Sequence, residues 1–372
     1  MTPGDDTHAG EPDKSRRAAA PPVIRGAWAL ALGCALLMAA APAAPAHAGN
    51  DIESLTVQFE NDQMALSGTS DQWYTHGTKV SWTYKDPDPA GPIGWLGSGA
   101  RWLLWPGAGG EPVRIAGMFG QNIYTPETLT STAFNPDDRP FGGWLYVGAI
   151  AQRTRGRLTQ TADVKIGVIG PASGADIVQQ ATHRFASKHK AVGWDNQLRS
   201  AAGVEVGYLA RYALPLWDER IAIAPHGGLV LGNTRRLAHA GATLIAGDAK
   251  GRLALPGLGE GVADTLAPVT DPLAAHGRLP AGIYAFAGVD FAYVGYNRFI
   301  EGETFAGHPA IRLHHPVSQY TLGVTMVFPR GVLGHPLRLT YAMMDRGREF
   351  DMPSGQPVRR HRVGLLSLTM GF

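Results

Sequence analysis

The chain is short of cysteine, of charge and of long apolar runs, and each shortage excludes something. Its 372 residues include one cysteine, Cys34, which rules out an internal disulfide framework and a multi-cysteine metal cluster. Charged residues are 17% of the total, below the roughly 25% of an average soluble domain. The 33 basic and 31 acidic side chains nearly cancel, for a formal net charge of +2. The basic excess of a nucleic-acid binder is therefore missing. Beyond residue 48 no apolar run reaches the roughly 18 residues of a spanning helix. No Gly-x-Ser-x-Gly elbow occurs there either, which weighs against a serine hydrolase of that type. What is abundant is glycine (48) and proline (27), without a repeat. This combination suits a soluble β protein or a membrane β-barrel.

The first 48 residues read as a secretory signal. Lys14, Arg16, Arg17 and Arg25 precede the apolar stretch GAWALALGCALLMAAAPAA at 26–44, and Ala46-His47-Ala48 supplies a small-x-small cleavage pattern. An N-terminal membrane anchor is the alternative. Cleavage after Ala48 removes Cys34 and equal numbers of acids and bases, so residues 49–372 keep the same net charge.

The remainder alternates with period two, the signature of strands with one apolar face. Leu366, Leu368, Met370 and Phe372 share one face, opposite Leu365, Ser367, Thr369 and Gly371. Tyr320, Leu322, Val324, Met326 and Phe328 repeat the pattern, as do Val80, Trp82 and Tyr84, and Leu55, Val57 and Phe59. A terminal strand closing on an aromatic residue resembles the C-terminal signal of bacterial outer-membrane barrels. The pattern predicts strands near 52–61, 74–84, 112–122, 142–153, 156–168, 199–213, 219–232, 238–247, 281–294, 317–329, 336–347 and 359–372. The fold class is thus all-β, a twelve-stranded antiparallel transmembrane barrel of the bacterial outer membrane, with the apolar set on lipid and the polar set in the lumen. Trp82, Tyr84, Trp144, Tyr208, Tyr212, Trp217 and Tyr341 suit interfacial girdles; in a soluble sandwich they would be core aromatics. The Gly-, Pro- and Ala-rich stretch 248–280 falls where a short turn is expected.

With the first strand leaving the periplasm, several polar groups gather at the extracellular rim. They are Asn61-Asp62, Tyr74-Thr75, Gln121-Asn122, Arg139, and the loop 169–198 with Gln179, His183, Trp194 and Asp195. Strand parity directs Asn61 to lipid, with Thr75 and Asp62 inward unless a bulge intervenes. A lipid hydrolase needs its site open sideways, and residues straddling the wall fit that need.

The chain also carries Glu60-Asn61-Asp62, Tyr74-Thr75-His76-Gly77, Gln121-Asn122-Ile123-Tyr124-Thr125-Pro126, Pro136-Asp137-Asp138-Arg139-Pro140-Phe141-Gly142-Gly143-Trp144, Ile169-Gly170-Pro171, Val178-Gln179 with His183-Arg184, and Gly193-Trp194-Asp195-Asn196-Gln197-Leu198. In this order they resemble the outer-membrane lipid A 3-O-deacylases, the LpxR family. The likeness is strong over 51–212 and rests on barrel pattern afterwards. It implies removal of the 3'-acyloxyacyl group of lipid A, with calcium and a chemistry like that of secreted phospholipase A2. The family's Asn-Asp pair falls on Asn61 and Asp62, its threonine on Thr75 and its catalytic histidine on His183. Where some members have a glutamate six residues after that histidine, this chain has His189.

The residue types suit that chemistry. A histidine that deprotonates water supplies nucleophile and base together, and a divalent cation polarises the ester carbonyl. Calcium takes oxygens, which Asn61, Asp62 and Thr75 offer; His189, a nitrogen donor, is a poor substitute. Arg139, Arg184, Lys188 and Gln179 are the candidate substrate-binding side chains, since the phosphates of lipid A call for cationic partners. The implied partners are lipopolysaccharide and outer-membrane lipids, with the chain a monomer and its site facing the outer leaflet. An outer-membrane phospholipase and a non-enzymatic porin or adhesin are the alternatives.

Overall fold

A computed structural model describes residues 52–65, 73–84, 113–133, 135, 137–185, 191–217, 220–247, 282–302, 311–329 and 334–372, and the single positions 90, 91, 95, 103 and 104. The leader, the stretch 248–280, Lys188 and His189 lie outside the described residues.

Twelve long strands form the wall: β1 (Ile52–Asn61), β2 (Trp73–Tyr84), β3 (Val113–Thr125), β4 (Gly142–Arg155), β5 (Leu158–Ile169), β6 (Ala201–Tyr212), β7 (Ile221–Gly232), β8 (Arg235–Gly247), β9 (Gly282–Asn297), β10 (Pro316–Phe328), β11 (Leu337–Arg346) and β12 (His361–Gly371). Every neighbouring pair is antiparallel. The first and last strands pair from Ser54↔Gly371 to Asn61↔Gly364, and β6 pairs with β7 from Glu205↔Gly232 to Arg211↔His226. The sheet therefore closes into a twelve-stranded barrel. The expected strands are all present, with ends shifted by up to about three residues, as strand-end reading allows. One expected turn differs: Leu214–Trp217 is a short strand on β7, prolonging the edge beyond β6. Among the described residues no helix is long and apolar enough to cross a membrane, so crossing falls to the strands.

The two faces separate as period two requires. Phe119, Val147, Ile166, Leu229, Leu244, Ile283, Phe291, Leu322 and Phe328 are exposed around the outer wall. On a soluble protein such a belt is an aggregation surface; on a barrel it is the lipid face. Leu366, Leu368 and Met370 point outward and Ser367 and Thr369 inward. The lumen is filled. Met118, Tyr146, Ile245, Tyr284 and Phe286 are buried in one cluster. Trp144 belongs to that cluster and is fully buried, 4.5 Å from the Tyr146 ring. It is an inward core residue, not a girdle residue, because its strand parity matches Tyr146 and Ile150.

One set of charges inside the barrel is closely paired. Lys165 lies 3.1 Å from Asp163 and 2.9 Å from Glu205, which also accepts from Arg235 Nη2 at 3.0 Å and from Thr234 Oγ1 at 2.6 Å. Near the rim opposite the termini, Trp73, Val294, Ile300, Leu313, Phe350 and Val358 form a second cluster over the lumen. A two-residue ladder, Arg312–Leu313 with Phe350–Asp351, ties it together. Removing one member of a buried ionic set typically costs about 3–5 kcal/mol. Glu205→Gln should accordingly lower the temperature at which the folded barrel loses its fast gel mobility; an unchanged transition would show that the set is not holding β5, β6 and β8 together.

Candidate functional site on the outer wall

Asn61 ends β1 and caps a short 3-10 turn, Asp62–Met64. Its Oδ1 accepts the Gln63 N–H at 2.9 Å and its Nδ2 donates to the Thr75 carbonyl at 3.0 Å. Asparagine suits this position because a short amide can satisfy an orphan N–H of the first turn. The turn folds over the outer face of β11 and β12. Tyr341 Oη donates to Met64 O at 2.6 Å, and a Cβ on Gly364 would lie 2.5 Å from the Met64 backbone. This packing buries Asp62.

The pairing of β2 with β3 slips between Tyr74 and His76, so Thr75 is an extra residue at the step from Tyr124 to Ile123. Such a bulge re-aims side chains. Tyr74 turns inward, donating its hydroxyl to Glu60 at 2.7 Å. Thr75 Oγ1 lies 2.7 Å from Thr125 Oγ1, and the His76 ring sits 6.4 Å from outward-facing Phe59. Asn61, Thr75, His76 and Thr125 thus share the outer side of the wall. Parity places Asn61 there, and the bulge is why Thr75 joins it.

Over this wall lies a helix, α1 (Ala175–Phe185), in contact with β3 and β4. The sequence pattern predicts a loop over 169–198, where this helix lies. The helical signals were Asp176 in the first turn and His183 and Arg184 in the last, which complement the helix dipole. Gly143 makes the seat: a Cβ there would lie 2.1 Å from Ser173 Oγ and 2.3 Å from Ala175 Cβ. Gln121, outward on β3, donates to Ser173 O at 2.7 Å and pins the entry to the helix. Gly170 and Gly174 adopt left-handed φ of 77° and 63° to turn the chain into it.

Gln179 and His183 are one turn apart and so share a helix face. Both are buried, whereas Arg184 is exposed. Gln179 Oε1 accepts the Trp194 indole N–H at 2.7 Å, and the Trp194 ring packs 5.0 Å from Phe141. Gln179 therefore joins the helix to the segment 193–196, a positioning contact that the expected substrate role does not describe.

Arg139 is not where the sequence reading puts it. It is 2% exposed, donates through Nε to Phe299 O at 3.1 Å, lies over the Tyr124 ring at 4.9 Å and stands 4.0 Å from Glu349. Phe299 and Tyr124 belong to the lumen cluster and with Glu349 form an inner cap at this rim, so Arg139 is a buried cation inside the barrel rather than an exposed surface charge. Burial lowers its pKa, against the pull of Glu349 and Tyr124. Burial pushes the Glu349 carboxyl up, but Arg346 and Arg139 bring it below the usual range. Asp138 is raised by burial, tempered by the backbone N–H groups of Glu127 and Arg139. A cavity of about 220 Å³ opens between the segments 126–141 and 193–196; of the expected site residues, Arg139 alone lines it.

The structure thus joins Asn61 to Thr75, and Gln179 to His183 along the helix. Thr125, His76 and Gln121 were absent from the expected site, although all stand in the quoted motifs; extending the period-two count along β3 would have put Gln121 and Thr125 on the outer face. As a calcium site the Asn61, Asp62 and Thr75 set fits in kind, since every donor is an oxygen. Asn61 Oδ1 already accepts one N–H and has a second lone pair.

A closed antiparallel barrel with an apolar outer belt and a filled lumen defines an outer-membrane protein, and one with its polar cluster on the lipid side is not built as a channel. The family model for "Outer membrane protein LpxR" matches residues 30–372. The chain belongs to the LpxR family, a class of lipid A deacylases and hence carboxylic ester hydrolases. No curated protein sequence matches it. Among solved structures it is similar to LpxR from Salmonella typhimurium at 18% identity, covering 86% of this chain and 100% of that one with a TM-score of 0.66. The β domain of the Bordetella autotransporter BrkA aligns at 10% identity over 86% of this chain and 99% of that one, with a TM-score of 0.42.

Gly143→Val should unseat α1, lowering deacylation at least tenfold while the barrel still folds, because the added methyl groups meet Ser173 and Ala175; full activity would mean the helix position is unimportant. Arg139→Met should lower the heat resistance of the cap and leave KM for lipid A unchanged, whereas a KM effect alone would restore the phosphate role. The Glu349 contribution to the cap is present above the unfolded glutamate pKa and is lost as pH falls through its depressed folded value.

Proposed function

We propose that this protein is a calcium-dependent lipid A 3-O-deacylase that hydrolyses the 3'-acyloxyacyl ester with a water activated by His183. The observation that carries the reading is the placement of Asn61, Thr75 and the helix of His183 on the lipid-facing side of a barrel whose lumen is filled. An acyl ester in the outer leaflet reaches that side by lateral diffusion, with no passage through a pore. The direction of the rim, towards the outer leaflet, is part of the proposal, as is a monomeric state.

His183 takes the proton of the attacking water and returns it to the leaving alkoxide on the sugar. Asp62, Thr75 and Asn61 would hold the cation, which supplies a Lewis acid for the carbonyl oxygen. Thr125 fixes the Thr75 hydroxyl, and Gln179 with Trp194 fixes the helix that carries the base. Arg184, exposed at the end of α1, is the cation we assign to a lipid A phosphate; Lys188 is proposed with it from the sequence alone. Filling of the lumen by Met118, Tyr146, Tyr284 and Phe286 favours this reading over a porin.

Mass spectrometry of lipid A from cells with and without the chain tests the reaction. Loss of the 3'-acyloxyacyl mass is expected; lysophospholipid with intact lipid A would replace the reading with a phospholipase. His183→Asn should lower turnover by about 10²–10⁴, the usual worth of a general base, with normal folding; retained turnover would move the base elsewhere. Chelation of divalent ions should abolish activity and calcium restore it, and full activity after exhaustive chelation would remove the metal from the mechanism.

A further inference from the structure

We propose that His226, His239 and Asp290 form a binding site for a divalent transition-metal ion inside the barrel, separate from the rim. The three residues sit on neighbouring strands β7, β8 and β9. In register, His226 pairs with Gly241, and Gly241 pairs with Asp290, so they stand in one row; His239 lies in the adjacent row on the same face, between Gly228 and Ala292. Both imidazoles are buried and the carboxylate nearly so, with side-chain exposures of 3%, 0% and 16%. One donor atom from each lies within 4.8 Å of the other two.

Two observations point to a cation here. The first is the space left for the group. Gly241 separates His226 from Asp290, and a Cβ on it would lie 2.2 Å from the Val289 carbonyl oxygen and 2.8 Å from His226 Nε2; a Cβ on Gly228 would lie 2.2 Å from His239 Nε2 and 2.6 Å from the Tyr208 carbonyl oxygen. Any side chain at either position would intrude on the cluster.

The second is a mismatch of donors and acceptors. His226 Nδ1 lies 3.2 Å from the Ala224 carbonyl, while its Nε2 lies 2.8 Å from Asp290 Oδ2. Both oxygens are acceptors, and a neutral imidazole has one N–H to give. His239 Nδ1 faces the same carboxylate oxygen at 2.9 Å. A cation at Nε2, either a second proton or a metal ion, resolves the conflict. With a metal there, Nδ1–H donates to the Ala224 carbonyl, which is how metal-bound histidines are oriented by their surroundings.

Two imidazoles and one carboxylate, without thiol, suit zinc and its neighbours rather than calcium, which takes oxygen donors. The site is therefore chemically distinct from the oxygen set at the rim and lies on the opposite arc of the wall. A bound ion would tie β7, β8 and β9 together from within.

The test uses the full mature barrel folded in detergent, with Zn²⁺ as the probe and Asp62→Asn as background to silence the rim. After passage through metal-free buffer, elemental analysis should find about one zinc per Asp62→Asn chain. That zinc should be lost when His239→Gln or Asp290→Asn is added, in barrels that keep the folded gel mobility. Bound Cu²⁺ should show coupling to two nitrogens by electron paramagnetic resonance, falling to one in the His239→Gln protein. Zinc should also raise the unfolding temperature of the Asp62→Asn barrel, which covers the case in which a further substitution prevents folding. Absence of retained zinc, zinc indifferent to both added substitutions, or no thermal shift would each overturn the proposal and leave a proton as the resident cation.

Discussion

Closure of the sheet is the constraint on which the other features depend. In hydrocarbon each unpaired peptide group costs several kcal/mol, so a spanning sheet must leave no edge. Pairing of β6 with β7 and of β1 with β12 meets that requirement. Once the cylinder is closed, every residue has one of two destinations. Outward positions meet lipid, and inward positions meet one another. The charged pairs around Glu205, the Tyr74–Glu60 bond and the His226 cluster are all consequences of the second destination, since a buried charge or polar group is costly unless it is paired.

The function we propose then depends on controlled departures from that two-way division. The bulge at Thr75 breaks the alternation and puts two successive residues on one face. Glycines mark the other departures. Gly143 admits a helix against the outer wall, Gly364 admits the Asp62–Met64 turn, and Gly241 clears room in the lumen. In each case the missing Cβ is what allows a second element or a polar cluster to approach the sheet, a role that differs from supplying bend at the start of a strand.

Period two made the barrel legible: Leu366, Leu368 and Met370 against Ser367 and Thr369 define lipid and lumen without any tertiary information. Family-like motifs made membership legible, and among them Asn61 and Thr75 do meet. What the pattern did not hold was the third dimension. Arg139 follows two acidic residues in an outer loop and reads as a surface charge; only the inward path of that loop, onto Phe299 and Tyr124, makes it a pillar of the cap. Trp144 lies near a strand end and reads as a girdle residue, but parity with Tyr146 turns it inward. The helix of His183 is amphipathic but low in mean apolar content, so a period-two count does not register it, and docking at Gly143 fixes its place. The pairing of His226 and His239 with Asp290 spans three strands, so no local spacing announces it.

The rim also poses an energetic difficulty. Threonine, asparagine and histidine on the outer face of a barrel would be costly in contact with acyl chains. Here they lie at the rim, and each has a polar partner: the Asn61 amide on the Thr75 carbonyl, the Thr75 hydroxyl on Thr125, and the His76 ring on Thr78. A hydrolase acting on a membrane ester needs water from one side and acyl chain from the other, and the rim of the lipid face is where the two solvents meet. An open lumen would bring water to the wrong side of the wall, and the aromatic filling of the barrel removes that path while stiffening the wall that carries the proposed site.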